Sequence, residues 1–364
     1  MTKKLYNKSK RNVLITGGAG FIGSNFVNFW LESYPDDYIV ILDALTYAGN
    51  INSLEKSLEC SRCTFIHGSI CNQALVYNIL KTHKISLIVN LAAESHVDRS
   101  ITGAKDFIET NIVGTFSLLE AAKRYWLEGE VKIEEHHFHH VSTDEVYGSL
   151  HGSDDAFTED MQYQPNSPYS ASKAASDHLV RAYHHTYGLN VTTSNCSNNY
   201  GPYHFPEKLI PLVILNLLHN KPVPVYGDGS QIRDWLHVKD HCQGIGLIIN
   251  SGVKGEIYNI GGNNEWKNID IVCQICTILM DSFQADKQLA VKFPLAKKII
   301  SGKCNELITY VGDRLGHDKR YAIDNSKISD GLGFKPQYLF EEGLKETIQW
   351  YLKNNNWWQP LYSC

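Results

Sequence analysis

The sequence predicts an α/β protein with a Rossmann-type, doubly wound parallel sheet and a smaller C-terminal substrate-binding lobe. Three observations predict this fold: a glycine-rich turn between a short apolar strand and a helix, repeated strand-helix alternation through the first half, and a second half punctuated by Pro and Gly. We place the sheet-bearing domain, with the reactive residues, at 1–194 and the substrate lobe mainly at 195–364, with interweaving of the two left open.

Composition excludes several functional classes. The 364 residues are enough for a substantial core, and the formal net charge of -5 comes with scattered rather than clustered Lys and Arg. We therefore expect no nucleic-acid partner. The chain has no run of eighteen apolar residues, and its basic N-terminal stretch lacks the apolar segment of a signal peptide, so we expect no membrane span and a cytoplasmic location.

The nine cysteines and the clustered histidines raise the question of a metal. Two Cys-x-x-Cys pairs, Cys60/Cys63 and Cys273/Cys276, could together form a four-thiolate zinc site. The second pair falls in an apolar helical pattern, which predicts that both thiols lie on the buried face, and an odd count fits free thiols. The histidines of 136–140 lead directly into a strand pattern, whose residues point alternately to opposite faces. We expect no bound metal.

Residues 12–16 are predicted to form a strand buried on both faces. Glycines follow at 17, 20 and 23, and a helical pattern then runs through Leu31. Glycines in such a turn let the backbone approach a pyrophosphate, which the helix N-terminus then faces. The spacing is G-x-x-G-x-x-G, and an ordinary tight turn would also use glycine. The placement between strand and helix favours a dinucleotide.

The next strand, residues 38–42, ends at Asp43, twenty residues after Gly23. An acid at this position can accept hydrogen bonds from the adenosine ribose, and it would repel the additional phosphate of NADP. No Arg occurs in the four residues that follow. The sequence therefore favours NAD over NADP, with a solvated acid at a strand end as the alternative.

The most informative stretch is Val141 to Gly148, where Thr143, Asp144 and Glu145 follow an apolar-leaning strand pattern. Two adjacent carboxyl groups in a cleft repel each other, which raises the pKa of one of them and suits the pair to acid/base chemistry.

A second reactive pair begins the helical pattern that runs from residue 168 to about Tyr187. Tyr169 and Lys173 are four residues apart and so share one helical face, where a Lys ammonium stabilises a phenolate. Tyr169 could then act as a general base on a sugar hydroxyl. Such a pair is also common on ordinary helix surfaces.

Residues 104–126 are predicted to form one long helix. Its apolar residues, Phe107, Ile108, Ile112, Phe116 and Leu119, are expected on a single stripe that packs on the sheet or on another subunit.

Six segments together resemble the extended short-chain dehydrogenase/reductases and, within them, the nucleotide-sugar 4,6-dehydratases. They are Thr-Gly-Gly-Ala-Gly-Phe-Ile-Gly (16–23), Leu-Ala-Ala-Glu-Ser-His-Val-Asp-Arg-Ser (91–100), Ser-Thr-Asp-Glu-Val-Tyr-Gly (142–148), Tyr-x-x-x-Lys (169–173), Asn-Asn-Tyr-Gly-Pro (198–202) and Arg-Asp-Trp-Leu (233–236). The resemblance runs from about residue 12 to 350, and the Thr-Asp-Glu triplet distinguishes dehydratases from related epimerases.

The resemblance implies an NAD-dependent hydro-lyase that converts dTDP-glucose or UDP-glucose to the 4-keto-6-deoxyglucose nucleotide and water, as in deoxysugar and rhamnose biosynthesis. Tyr169 would remove the C4 hydroxyl proton, with Thr143 bonded to that hydroxyl. The C4 ketone then acidifies C5, so that Glu145 removes the C5 proton while protonated Asp144 protonates the departing C6 hydroxyl. Lys173 completes the catalytic set, and a homodimer is implied through helices near 104–126 and 168–187.

The resemblance also implies two sets of binding residues. The NAD set is Gly17, Gly20, Phe21, Ile22, Gly23, Asp43, Thr46, Ser69, Ile70, Leu91, Ala93, Thr110, Tyr169, Lys173 and Asn199. The nucleotide-sugar set is Ser95, Asn198, Lys208, Leu209, Tyr226, Arg233, Asn268, Arg314 and His317. Two positions depart from the family pattern, Ser69 in place of an Asp and Leu315 in place of a Pro.

Two other hypotheses for the function are compatible with the sequence. They are an NAD-dependent nucleotide-sugar 4-epimerase and a non-catalytic NAD-sensing regulator. The complete set of Thr143, Asp144, Glu145, Tyr169 and Lys173 argues against the regulator. The base, thymine or uracil, is undecided, because one methyl group contributes only about 1–3 kcal/mol of discrimination.

Overall fold

The computed structural model describes residues 10–129, 135–313 and 316–362. Its strands are β1 (Asn12–Thr16), β2 (Tyr38–Asp43), β3 (Cys63–His67), β4 (Leu87–Asn90), β5 (His137–Thr143), β6 (Val191–Cys196), β7 (Asn198–Tyr200), β8 (Val223–Tyr226), β9 (Ile232–His237), β10 (Ile257–Ile260), β11 (Glu265–Lys267) and β12 (Ile308–Val311).

The α-helices are α1 (Phe21–Ser33), α2 (Glu55–Leu58), α3 (Gln73–Thr82), α4 (Val97–Thr102), α5 (Lys105–Phe107), α6 (Thr115–Trp126), α7 (Pro168–Tyr187), α8 (Leu209–Leu218), α9 (Val238–Ser251), α10 (Asn268–Ala285), α11 (Gln288–Lys292), α12 (Lys297–Ile300), α13 (Ser326–Leu332), α14 (Phe340–Lys353) and α15 (Asn355–Tyr362). Short 3₁₀ turns cover Ile51–Leu54, Asp144–Tyr147 and Cys304–Leu307, and a π-helix covers Ile108–Gly114.

A seven-stranded parallel sheet organises the protein, in the order β10-β6-β5-β4-β1-β2-β3. The order reverses at β1, which pairs with β2 on one side and β4 on the other. A crevice opens at such a reversal, outside the carboxyl ends of the strands, and is the usual ligand site of this architecture. The predicted fold class is confirmed.

Both faces of the sheet are covered by helices, which is why its strands are almost continuously apolar. One face packs on α1 and α9 and includes Trp30 and Ile245. The other packs on α3, α6 and α7 and includes Leu118 and Val180. The fully buried β1 residues 13–15 contribute side chains to both cores.

The second half builds a separate apolar core from α8, α10, α14 and α15, beside the small sheets β11-β9-β7 and β12-β8. Trp358 in α15 is buried in this core and donates from Nε1 to the carbonyl oxygen of Tyr351 at 2.8 Å. The C-terminal tail therefore packs on the small lobe.

The chain crosses between the two lobes. After leaving the sheet at Cys196 it returns to pair β10 with β6, and α9, which precedes β10, packs on α1. The boundary after residue 194 stays a prediction.

The segment predicted as one long helix over 104–126 is helical from Lys105 to Trp126, but the prediction of a single apolar stripe along it is wrong. A π-helix interrupts it at Ile108–Gly114, and the wider turn shifts the faces of the helix. Phe107 and Leu119 are consequently buried, whereas Ile108 and Phe116, from the same predicted stripe, are exposed together with Val113.

Two further local predictions can be compared with the structure. The histidine-rich segment forms β5 from His137 onwards, as predicted. Cys276 is buried in α10, but Cys273 is exposed, because the buried face of that helix runs through residues 271, 272, 275, 276 and 279. Within the described ranges, no group of three or more His, Cys, Asp or Glu side chains could hold a metal ion, and no helix could cross a membrane.

Candidate active site

The turn after β1 requires glycine at two positions. Gly17 has φ +67°, and a Cβ there would lie 2.6 Å from the backbone nitrogen of Ala92 in the neighbouring loop. A Cβ at Gly23 would lie 2.1 Å from the carbonyl oxygen of Gly17. Helix α1 therefore starts directly over β1, with Gly20 as its N-cap and no side chain capping its first N–H groups. This is the backbone arrangement that binds a pyrophosphate.

Asp43, the last residue of β2, is buried beside this turn. Its Oδ2 accepts a hydrogen bond from the Ala19 N–H at 2.8 Å, and its Oδ1 accepts one from the Leu45 N–H at 2.8 Å. Burial raises the pKa of Asp43, and these two bonds lower it. Each carboxylate oxygen keeps a further lone pair that can accept from a ribose hydroxyl.

The three residues of the Thr-Asp-Glu triplet lie where β5 ends. Thr143 is the last strand residue and caps the 3₁₀ turn that contains Asp144 and Glu145, with its Oγ1 accepting from the Glu145 N–H at 3.3 Å. The same hydroxyl lies 3.3 Å from Asp144 Oδ1. The turn therefore points the carboxyl groups of Asp144 and Glu145 in different directions, and both residues line the cleft.

The environment of Asp144 favours its protonated form. Burial raises the pKa of Asp144 well above its ordinary value, and Glu145 and Asp234 raise it further. The positive charge of Arg233 acts in the opposite direction. A carboxylic acid that keeps its proton in a buried position is suited to act as a general acid.

Helix α7 supplies the phenol and the ammonium. It begins with a capping box between Ser167 and Ser170, with Pro168 in its first turn, which fixes where Tyr169 and Lys173 face the cleft. Lys173 is buried and donates from Nζ to the Val141 carbonyl oxygen on β5 at 2.8 Å. Burial raises the pKa of Tyr169 and lowers that of Lys173, and a hydrogen bond with Thr143 lowers the pKa of Tyr169.

One cleft brings most of the predicted residues together. All five catalytic candidates and every residue of the predicted NAD set line it. From the predicted nucleotide-sugar set the cleft is lined by Ser95, Asn198, Lys208 and Leu209.

Three of the other predicted substrate residues form a separate group in the small lobe. Tyr226 and His317 contact edge to face with ring centroids 6.0 Å apart, and His317 Nδ1 lies 2.6 Å from Asp313 Oδ1. Asn268 begins α10, and its N–H donates to the Gln231 carbonyl oxygen at 2.9 Å. Arg314, and the Leu315 departure next to it, lie outside the described residues.

Arg233, on β9, is a further predicted substrate residue that does not line the cleft. It is buried, with Nη1 donating to the Ile232 carbonyl oxygen at 2.8 Å and Nη2 donating to that of Asp318 at 2.9 Å. Its guanidinium stacks over the Tyr321 ring at 4.2 Å. Arg233 does not line the cleft, but its positive charge acts to lower the pKa of Asp144, so it lies close to the cleft.

Several residues that line the cleft are not among those predicted from the sequence. His204 stacks on Phe21 of the glycine turn, with ring centroids 4.2 Å apart, and Cys196 ends β6 beside Asn198. Tyr47 receives the Arg99 guanidinium at 3.9 Å from its ring centroid. Cys196 and His204 flank the Asn-Asn-Tyr-Gly-Pro motif closely, and this proximity is the signal that could have found them.

Unpaired buried atoms indicate that the cleft is built for a polar ligand. Among the described residues, Asp144 Oδ2 and Asn198 Oδ1 are buried without a hydrogen-bond partner, and both residues line the cleft. Buried polar atoms are normally paired, so a ligand with hydroxyl groups would satisfy them. Together with the glycine turn, they fit a dinucleotide and a sugar.

The parallel sheet, glycine turn, Tyr/Lys pair and interwoven second lobe define an extended short-chain dehydrogenase/reductase. A family model described as GDP-mannose 4,6 dehydratase matches residues 14–347. The chain is 53% identical over 358 residues to the dTDP-glucose 4,6-dehydratase of Escherichia coli, covering 96% of each chain. It belongs to the nucleotide-sugar 4,6-dehydratase family.

Solved structures agree with this assignment. The dTDP-glucose 4,6-dehydratase of Bacillus anthracis in complex with NAD superposes with a TM-score of 0.82 at 46% identity, covering 96% of this chain and 99% of that one. The UDP-glucose 4-epimerase of Thermotoga maritima, with UDP-glucose, gives a TM-score of 0.79 at 25% identity, covering 94% and 99%. The fold is shared with epimerases, but the sequence is much closer to dehydratases.

Proposed function

We propose that this protein is an NAD-dependent nucleotide-diphosphoglucose 4,6-dehydratase acting on dTDP-glucose. The observation that carries the proposal is the Asp144/Glu145 pair at the end of β5, facing the same cleft as Tyr169 and Lys173. An epimerase has no use for this pair, because turning a 4-keto sugar over requires no elimination of water. The dTDP-glucose dehydratases at about half identity support thymine as the base.

The residues that line the glycine turn and the ends of β2 to β4 would hold NAD, with its pyrophosphate at the start of α1 and its adenosine ribose at Asp43. When bound, NAD supplies the acceptor for the hydride from sugar C4, the donor of hydride to C6, and a positive charge near Tyr169.

The protein's own residues move the protons. Tyr169, hydrogen-bonded to Thr143, accepts the proton of the C4 hydroxyl, and the Lys173 ammonium on the same helix face stabilises the phenolate. Glu145 removes the proton at C5, which the C4 carbonyl has made acidic, and C5 is protonated again when hydride is returned to C6. Asp144, protonated in its buried position, donates its proton to the C6 hydroxyl as it departs as water.

The nucleotide diphosphate would lie toward the small lobe. Lys208 and Asn198 line the cleft, and Arg233 provides a buried guanidinium beyond the carboxyl pair. Tyr226, Asn268, Arg314 and His317 belong to the same proposal for the more distant part of the substrate.

We also propose a homodimer. The described surface of the π-helix and of α6 exposes Ile108, Val113 and Phe116, which form an apolar face suited to another copy of α6 and α7. The cytoplasmic location expected from the sequence stays a prediction.

The test is an incubation of the purified protein with dTDP-glucose or UDP-glucose, without added NAD, followed by the absorbance of the keto sugar in alkali. We expect signal with dTDP-glucose and less with UDP-glucose. No signal with either nucleotide would contradict the proposal, and interconversion of glucose and galactose nucleotides would favour the epimerase. Tyr169→Phe serves as the inactive control.

A further inference from the structure

A buried polar chain that the mechanism does not use runs across the sheet beneath the cleft. Thr16 donates from Oγ1 to Asn90 Oδ1 at 2.7 Å, and Asn90 Nδ2 lies 3.1 Å from His140 Nδ1. His140 Nε2 in turn lies 3.3 Å from Asp177 Oδ1. The chain connects β1, β4, β5 and α7, and its side chains are almost completely buried.

The hydrogen bonds fix the direction of this chain. Because Asn90 Oδ1 accepts from Thr16, the amide nitrogen of Asn90 faces His140 as a donor. His140 Nδ1 must then accept, which places the ring proton on Nε2, toward Asp177. Burial lowers the pKa of His140 to about 4, so the ring is a neutral donor.

His140 Nε2 is close to Asp177 Oδ1 but makes no well-directed hydrogen bond with it, so the directed contacts to Asp177 come from other side chains. Ser142 Oγ donates to Asp177 Oδ2 at 2.8 Å, and the Tyr163 hydroxyl is a further hydrogen-bond partner. Hydrogen bonds to the charged form of a carboxyl group favour that form. The Asp177 carboxyl group is therefore buried and held in one position by side chains of neighbouring elements.

Asp177 follows Lys173 by one helical turn, and both side chains contact the same strand. Lys173 Nζ donates to the Val141 carbonyl oxygen at 2.8 Å, and the next residue, Ser142, donates to Asp177. Residues four apart on a helix are neighbours on one face. The buried Lys173 and Asp177 side chains are thus both anchored to adjacent residues of β5, Val141 and Ser142.

The other titratable groups around Lys173 are neutral or face the substrate. They are Tyr169 on its own helix, His140 on β5, Cys196 on β6, and Asp144 and Glu145 in the turn after β5. Burial raises the pKa of the Cys196 thiol and of Asp144, so both stay protonated. Asp177 is the carboxylate that favours the charged form of Lys173.

We propose that Asp177 is a positioning residue of the reaction: held by Ser142 and Tyr163 one helical turn after Lys173, it is the counter-charge that keeps Lys173 an ammonium despite its burial. A neutral Lys173 could not stabilise the Tyr169 phenolate. This inference rests on the proposed function for its catalytic consequence, but the charge state of Lys173 can be measured without substrate.

The first experiment compares the pH dependence of dehydration in the wild type, Asp177→Asn and Ser176→Ala. Ser176 is a buried neighbour on α7 whose Oγ donates to the Lys173 carbonyl oxygen, so it controls for disturbance of the helix. In Asp177→Asn, Lys173 should lose its proton at a lower pH, which moves the alkaline limb of kcat to lower pH and reduces kcat by about 10²-fold with KM little changed. Ser176→Ala should keep the wild-type profile.

The second experiment uses lysine labelled with ¹³C at Cε in the substrate-free holoenzyme, with the Lys173 signal identified by its loss in Lys173→Met. We expect the wild-type signal to report an ammonium at pH 7 to 9, and a lower titration midpoint in Asp177→Asn. A neutral Lys173 in the wild type, or a folded Asp177→Asn with unchanged midpoint and pH profile, would overturn the inference. If the wild type showed a charged Lys173 but no dehydration, only the proposed function would fail.

Discussion

Asp144 and Glu145 are adjacent in the chain, but their carboxyl groups lie in different surroundings. Asp144 is 1% exposed and 3.3 Å from the Thr143 hydroxyl, whereas Glu145 is only partly buried at the mouth of the same turn. The difference separates an acid that holds its proton from a carboxylate that can accept one.

Replacing Glu145 by Gln should block the loss of water. The amide has nearly the same shape but cannot accept the C5 proton, so kcat for the keto sugar should fall by about 10²- to 10⁴-fold. Binding of dTDP-glucose, measured by calorimetry, should change little. Glu128→Gln, at an exposed position, is the matched control. Unchanged dehydration in Glu145→Gln would remove this residue from the mechanism.

The protonated state of Asp144 predicts how stability depends on pH. The pKa of Asp144 is raised in the folded protein, so the folded state holds its proton where the unfolded state has lost it, and stability falls as the pH rises from the ordinary value through the raised one. Asp144→Asn removes this dependence. Its Tm relative to the wild type should therefore increase as the pH is raised from 4 to 8. A difference in Tm that is the same at every pH would contradict the raised pKa.

Loss of Asp43 should weaken the binding of NAD. Asp43→Ala removes a carboxylate that can hold the ribose and that already accepts from Ala19 and Leu45, and hydrogen bonds to charged groups contribute about 1.5–3 kcal/mol each. We expect Kd to rise by roughly 10- to 100-fold when the apoprotein is titrated with NAD. Asp36→Ala, an exposed acid in the preceding turn, should bind as the wild type does. Equal affinity in Asp43→Ala would mean that the ribose is held elsewhere.

The proposed dimer can be broken from its exposed apolar face. Phe116→Glu introduces a charge at the centre of that face and should convert dimer to monomer, as measured by light scattering after gel filtration. Val291→Glu, at a more exposed apolar position in the small lobe, should leave the assembly intact. A monomeric wild type, or a variant that stays dimeric, would exclude this face.

The C-terminal helix should contribute to the stability of the small lobe. Trp358→Ala removes a fully buried ring from the core and should lower the free energy of unfolding by about 3–5 kcal/mol in a urea titration. Leu339→Ala, at a largely exposed position, should change it by less than about 0.5 kcal/mol. If Trp358→Ala lowered the free energy of unfolding as little as Leu339→Ala does, α15 would not be docked on the small lobe in solution.

The sequence predicted the features that depend on local spacing. The glycine turn, the end of β2 at Asp43, the Thr-Asp-Glu turn and the Tyr169/Lys173 face all line one cleft, and each can be located from strand ends and helical periodicity. It did not predict the π-helix at Ile108–Gly114, because a widened turn leaves the pattern of apolar residues almost unchanged. Nor did it predict the group around Asp177 and His140, which requires the register of three strands.

The return of the chain from the small lobe to the sheet bears on how the protein could be shortened. A fragment that ended at residue 194 would present β6 as a bare edge, without the backbone partners that β10 supplies, and would uncover the apolar side of α1 that α9 covers. Such a fragment would be prone to aggregate rather than to bind a dinucleotide by itself. A minimal nucleotide-binding version would have to carry residues 238–260 as well, joined after β6 by a new connection.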